Sequence, residues 1–149
     1  MRAVIQRVFT AQVQIEAQVV GRIDRGLCVF LGAGKDDGPQ DFTAMADKIA
    51  GLRVFSDERG KMSLSVTDIG GAVLLISQFT VYGDVRRGRR PSFDGAMTPD
   101  LAQPAYQRLV TMVRDRGITV QTGRFAAMMR VLVDNDGPVT ILVDTKKTF

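Results

Sequence analysis

The chain of 149 residues contains no histidine and a single cysteine, Cys28. Without histidine, one kind of chain cannot assemble a Ser-His-Asp or Cys-His relay. The usual His and Cys zinc site is excluded on the same ground. Cys28 lies in the apolar run LCVFLGA, so an internal disulfide is impossible and a buried thiol is expected. Carboxylates form no tight group asking for an oxygen-ligated Mg²⁺, and neither a metal nor another cofactor is expected. No run approaches the ~20 apolar residues that span a bilayer. The opening MRAVIQRV reads as a strand rather than a signal peptide, so a cytoplasmic protein is expected. Internal repeats, low-complexity tracts and interdomain linkers are also missing. Any chemistry must come from hydroxyls, carboxylates, backbone dipoles or the substrate itself.

What is present is ordinary for a globular chain: 45% hydrophobic and 24% charged residues. The length suits one domain, residues 1–149, with a core that needs no staples. Twenty Lys+Arg against 16 Asp+Glu leave a net charge of +4, which decides nothing alone. Its distribution is more informative, because Arg86, Arg87, Arg89 and Arg90 crowd around Gly88. Such a run can be a solvated loop. It is also well made for phosphate, since each guanidinium fork offers paired donors to anionic oxygens.

Alternation at the start, Ala3, Ile5 and Arg7 against Val4, Gln6 and Val8, predicts a strand, followed by further strands to Ala33. Phe42, Met45, Ala46, Ile49 and Leu52 keep helical spacing, with Pro39 near the helix start and Asp41 in its first turn. Leu52–Phe55 reads as a short strand and AVLLISQFTV, from Ala72 to Val81, as the central buried one. Thr98-Pro99 opens a second helix with Leu101, Leu109, Met112 and Val113 on its apolar face. Pro104 suggests that its regular part starts only there. Strands over Ile118–Thr122, Met128–Val133 and Val139–Val143 close the chain. Two helices among about eight strands predict an α+β fold, layered β/β/α, with mostly antiparallel strands.

Two stretches invite a functional reading. In SQFTVYGD, a buried strand runs out into a loop, where side chains are held by the sheet and main-chain amides lie beyond the ladder. Ser77 and Thr80 offer hydroxyls, Gln78 an amide, and the backbone at Phe79 and Thr80 oxyanion donors. The bland alternative is a strand end that happens to carry hydroxyls, which without histidine lack their usual base. In VLVDNDGPVTILVDT, Gly137-Pro138 predicts a turn or break between two strands.

SQFTVYGD, RRGRRPSF, TGRFAAMM and VDNDGPVT, together with MRAVIQRV, GLCVFLGAGKDD and KIAGLRVFSDERGKMSLSVTDIGG, occur in the order found in the D-aminoacyl-tRNA deacylases, and the chain resembles that family over essentially its whole length. It departs at Val81, where leucine is common, at Glu16-Ala17, where the first hairpin commonly turns on Asp-Gly, and at Met128, where an acidic residue is common. The resemblance implies a homodimer that hydrolyses the ester between a D-amino acid and the 3′-terminal adenosine of tRNA. On this chain it makes Gly137 and Pro138 a cis pair projecting into the other subunit as a chiral gate. Ser77, Gln78, Phe79 and Thr80 would line the reaction centre, Phe125 and Met129 would pocket the adenine, and Arg7 would lie near the partner's Gly-Pro loop. Glycine mischarged on tRNA is an implied further substrate.

Two mechanisms follow for such a site. Water can attack with help from the substrate's 2′-hydroxyl while the Phe79 and Thr80 amides hold the oxyanion, or Thr80 can form a covalent ester. A rival of another class is a non-catalytic RNA-binding module using the arginine loop with Phe79, Tyr82 and Phe93. A metal-dependent hydrolase is a third, disfavoured by the missing ligands.

Overall fold

A computed structural model describes residues 1–149, and its layers follow from which strand faces are apolar. Strand β3 (Gly26–Gly32) and strand β6 (Ala72–Ser77) are buried along nearly their whole length. Their odd-numbered residues, Leu27, Val29, Leu31, Val73 and Leu75, join the larger core. Their even-numbered Cys28, Leu74 and Ile76 join a second, smaller core. Since side chains alternate across a strand, the two cores lie on opposite faces of one sheet. A fully buried leucine such as Leu75 contributes about 1.5–3 kcal/mol.

Strand β1 (Arg2–Ile15) forks the sheet, and the strand order is β2-β1-β3-β6-β7 with β8 also paired to β1. Its first half lies against β3, and its second half against β2 (Gln18–Ile23). Strand β8 (Arg130–Asp144) runs antiparallel along both halves. The pairings β3–β6 and β6–β7 (Thr119–Thr122) are parallel, and those of β1 antiparallel. Each parallel step needs a crossover. Helix α1 (Pro39–Gly51) lies between β3 and β6 in the chain and α2 (Pro99–Arg114) between β6 and β7. Both pack on the larger core, giving the expected β-rich layered fold with a barrel-like sheet.

Several elements differ from the sequence reading. Helix α2 starts at Pro99 and passes through Pro104 without a break. Pro104 removes one bond in the second turn, on the exposed side, where water can satisfy the freed carbonyl. The buried face is Ala105, Tyr106, Leu109, Val110 and Val113, while Leu101 is 59% exposed. The expected Leu52–Phe55 strand shrinks to β4 (Phe55–Ser56), paired with β5 (Met62–Leu64). The first hairpin keeps its two-residue turn although Glu16 and Ala17 replace Asp-Gly, both with left-handed backbone (φ 48° and 65°).

The largest difference concerns Gly137-Pro138, which does not separate two strands. It is a bulge inside β8. Gln6 pairs with Thr140 and Val8 with Asn135, so two steps along β1 face five along β8. A second, smaller slip follows, in which Val8 to Thr10 on β1 faces the single step from Asn135 to Asp134. Below these irregularities Ala3 and Ile5 of β1, with Ile141 and Val143 of β8, pack on the larger core. Above them Ala11 and Val13, with Val131 and Val133, pack on the smaller one.

Candidate active site

Strand β6 ends at Ser77, four residues short of the expected Val81. The last ladder bond is donated by the Gln78 amide to the Leu31 carbonyl at 2.7 Å. Phe79–Tyr82 then form one 3₁₀ turn. A 3₁₀ turn bonds each amide three residues back, so its first amides, Phe79 and Thr80, have no acceptor inside it. They are donors presented just beyond the end of an interior strand, beside the exposed Thr80 side chain and a Phe79 ring that is 56% exposed. That ring meets Phe93 edge-on, with centroids 5.0 Å apart. The Gln78 side-chain amide donates to Thr80 Oγ1. This bond occupies a lone pair of the hydroxyl, and no carboxylate stands by as a base to take its proton.

The Gly137-Pro138 bulge is built differently. Its peptide bond is cis, and Gly137 has φ 121°, a conformation that suits glycine. A Cβ added there would lie 2.7 Å from Val139 Cγ2 and 3.1 Å from Arg7 Nη2. Beneath it Arg7 is buried. Its Nη1 donates to the Val54 carbonyl and its Nη2 to Asp136 Oδ1 at 3.2 Å. Arg7 Nε lies 2.9 Å from Asp136 Oδ2, an ion pair without the alignment of a hydrogen bond. The Asn135 side-chain amide spans the mouth of the bulge, donating to the carbonyls of Arg7 (2.8 Å) and Val139 (3.0 Å). Gly137 and Pro138 stand exposed on this clamp. Asn135 and Asp136 carry it, although in the sequence they look only like turn formers.

The structure does not bring all the expected site residues together. Arg7 touches its own chain's bulge. That bulge sits beside Arg7, which pairs with Leu27, whereas the Gln78 amide binds at Leu31. Four residues along the sheet and three strand spacings across it separate bulge from turn by roughly 20 Å. Phe125 packs on the larger core beside Tyr106, with ring centroids 6.2 Å apart, and Met129 on the smaller core. No hydrogen bond or ring contact joins either of them to Ser77–Thr80.

The arginine cluster occupies the loop between Asp84 and Ser92, whose amides and carbonyls bond each other at 2.8 and 2.9 Å. Arg86 folds back in a fork onto the Asp84 carboxylate (2.6 and 2.9 Å), which it holds below the usual carboxylate range. Arg87, Arg89 and Arg90 stand exposed at the tip. No three Asp, Glu or Cys side chains converge as metal ligands, and no helix is long and apolar enough to cross a membrane.

Comparison with known proteins agrees with this fold. A D-aminoacyl-tRNA deacylase of Sorangium cellulosum is 62% identical, covering all of both chains. One from Thermotoga petrophila is 56% identical, again over the full length of each. The solved c-Myc DNA Unwinding Element Binding Protein superposes with TM-score 0.93 at 39% identity, covering 97% of this chain and 99% of that one. Residues 4–144 match the family described as D-Tyr-tRNA(Tyr) deacylase. The chain belongs to that family and is a hydrolase of D-aminoacyl-tRNA.

Proposed function

We propose that this chain acts as a homodimer in which the Gly137-Pro138 bulge of one subunit closes the Ser77–Thr80 site of the other. It would cleave D-aminoacyl-tRNA and glycyl-tRNA while sparing L-aminoacyl-tRNA. The observation that carries the reading is the separation of two prepared parts. A clamped, exposed bulge and a turn with free amides lie roughly 20 Å apart on one chain, so a site using both needs two chains. Phe30, Val4 and Leu142 supply an apolar row for such a pair. They are neighbours across three strands on the face away from the helices, with Leu142 61% exposed.

In this reading water attacks the ester carbonyl, helped by the substrate's vicinal 2′-hydroxyl. The Phe79 and Thr80 amides hold the developing oxyanion, and the bond to the ribose 3′-oxygen breaks as that oxygen takes a proton. Backbone carbonyls on the bulge would hold the α-amino group and leave no room for a side chain on the L side. Glycine carries no side chain and would pass. Phe125 and Met129 would border the adenine, and the exposed arginines would hold tRNA phosphates. No metal or other cofactor is assigned a part.

The test is deacylation of D-tyrosyl-, L-tyrosyl- and glycyl-tRNA, with and without EDTA, by protein whose mass is followed by sedimentation. The expected result is cleavage of the D and glycyl esters, survival of the L ester, indifference to EDTA and a dimer. An active monomer of 16.3 kDa would overturn the shared site, and retention of every ester would favour the RNA-binding module. Thr80→Ala keeps the amide but loses the hydroxyl, so substantial activity is expected to remain. A fall of several orders of magnitude, with an ester trapped on Thr80, would establish the covalent route instead.

A further inference from the structure

Residues Phe79–Tyr82 form a single turn, and few hydrogen bonds fix it. The Gln78 amide ties its start to Leu31, and the Gly83 amide closes on the Thr80 carbonyl at 2.9 Å. The rest of its position depends on side chains packed against the backbone of β3 and the loop after it. A Cβ on Gly32 would lie 2.5 Å from Val81 Cγ2 and 3.0 Å from Tyr82 Cδ2. One on Gly34 would lie 2.5 Å from Tyr82 Oη and 2.9 Å from Cζ, and one on Gly95 3.4 Å from Cδ1. Three glycines thus wall a slot for one ring. Gly34 is itself held against the opposite wall, bridging to Ala96, while the Lys35 amide donates to Gly95 at 3.1 Å. The guanidinium of Arg2 completes the slot, 4.7 Å from the ring centroid, and is tethered by Asp144 at 3.4 Å. The Tyr82 hydroxyl makes no hydrogen bond to the chain, so the side chain is held by packing, with its Oη and Cζ against Gly34 and its ring edge against Gly32 and Gly95.

We propose that Tyr82, seated in the slot of Gly32, Gly34 and Gly95 under Arg2, is a positioning residue that sets the aim of the Phe79 and Thr80 amides. The proposal rests on the reading of those amides as oxyanion donors. It touches no substrate atom; it acts through the turn. Donors must sit within a few tenths of an ångström of the developing charge, and a shift of about 1 Å can cost on the order of 100-fold. Loss of the ring, or its displacement by a methyl group on Gly34, should therefore slow the chemical step without weakening the hold on tRNA.

The experiment is single-turnover hydrolysis of D-tyrosyl-tRNA at saturating enzyme, beside the Kd for tRNA, with folding checked by circular dichroism. Tyr82→Phe keeps the packing and should stay within about twofold of the parent rate. Tyr82→Ala and Gly34→Ala should each fall roughly 10- to 100-fold with Kd unchanged. Should Tyr82→Ala not fold, Gly34→Ala carries the same test. Parent-like rates in the alanine variants, a slow Tyr82→Phe, or losses explained wholly by Kd would overturn the proposal. A backbone ester in place of the Thr80 amide separates this failure from that of the underlying reading. If the ester is slow while Tyr82→Ala is fast, only the positioning role falls. If the ester itself is as fast as the parent, the oxyanion reading falls and the role of Tyr82 with it.

Discussion

Arginine does two opposite things in this molecule, and comparing the β8 bulge with the Asp84–Ser92 loop shows what decides between them. At the bulge, Arg7 is sunk under the backbone and spends its donors on Val54 and Asp136. At the loop, Arg87, Arg89 and Arg90 are exposed, and only Arg86 is bound, by a neighbour two residues away. One guanidinium is committed to shaping the chain and three are available to something else. The residue type is the same; burial and the nearest carboxylate set the difference. Rigidity follows, because a bulge clamped from below by Arg7 and across its mouth by Asn135 has few ways to move. A loop pinned only at its neck can adapt to a backbone of phosphates.

The largest test of this contrast is Arg7→Ala. It leaves the Asp136 carboxylate partly buried without its cation and the Val54 carbonyl without its donor, and should cost about 2–4 kcal/mol in urea unfolding. A loss near zero would mean that the bulge holds itself. Replacing Arg87, Arg89 and Arg90 together by Ala should do the reverse. Stability should stay within about 0.5 kcal/mol, while the slope of log affinity for tRNA against log salt flattens by roughly 2–3. An unchanged slope would remove the loop from the tRNA interface. The smallest effect should come from Arg86→Ala, because that fork is already occupied by Asp84. Its tRNA affinity should change less than twofold, and a loss matching that of Arg87→Ala would show that the Asp84 pair opens when tRNA binds.

The helices were legible because their apolar spacing is strong and uninterrupted by competing signals. Even so, Leu101, which the spacing places on the apolar face of α2, is exposed, since periodicity cannot say where along a helix the packing begins. The strand end at Ser77 was hidden for a different reason. Phe79, Thr80 and Val81 all favour extended structure. Yet the chain turns there and seats Tyr82 against Gly32, Gly34 and Gly95, distant in sequence or beyond the turn, which local preference does not show. Gly137-Pro138 looked like a turn because local rules see glycine and proline but not Arg7, more than a hundred residues earlier. The SQFTVYGD stretch is legible as a candidate site from its strand-to-loop pattern, whereas the roles proposed for Gly137-Pro138, Phe125, Met129 and Arg7 follow from resemblance. Asn135 and Asp136 look like mere turn formers because the partner they share, Arg7, lies on β1. Long-range hydrogen bonds leave no local mark.

The register slip in β8 has a consequence for how its length can change. Five steps there face two on β1, an excess of three residues. Because strand side chains alternate, an odd excess exchanges inside for outside, which is why Val131 and Val133 line one core while Ile141 and Val143 line the other. Phe9 performs the matching exchange on β1, as the one unpaired residue in the step from Val8 to Thr10. The two strands therefore change sides together, and parity becomes a rule for insertions and deletions. Adding or removing one residue between Asn135 and Thr140 would turn half of β8 inside out, whereas a change of two would keep every apolar side chain facing its own core. The segment that carries the Gly137-Pro138 bulge is free to vary in length only in even steps.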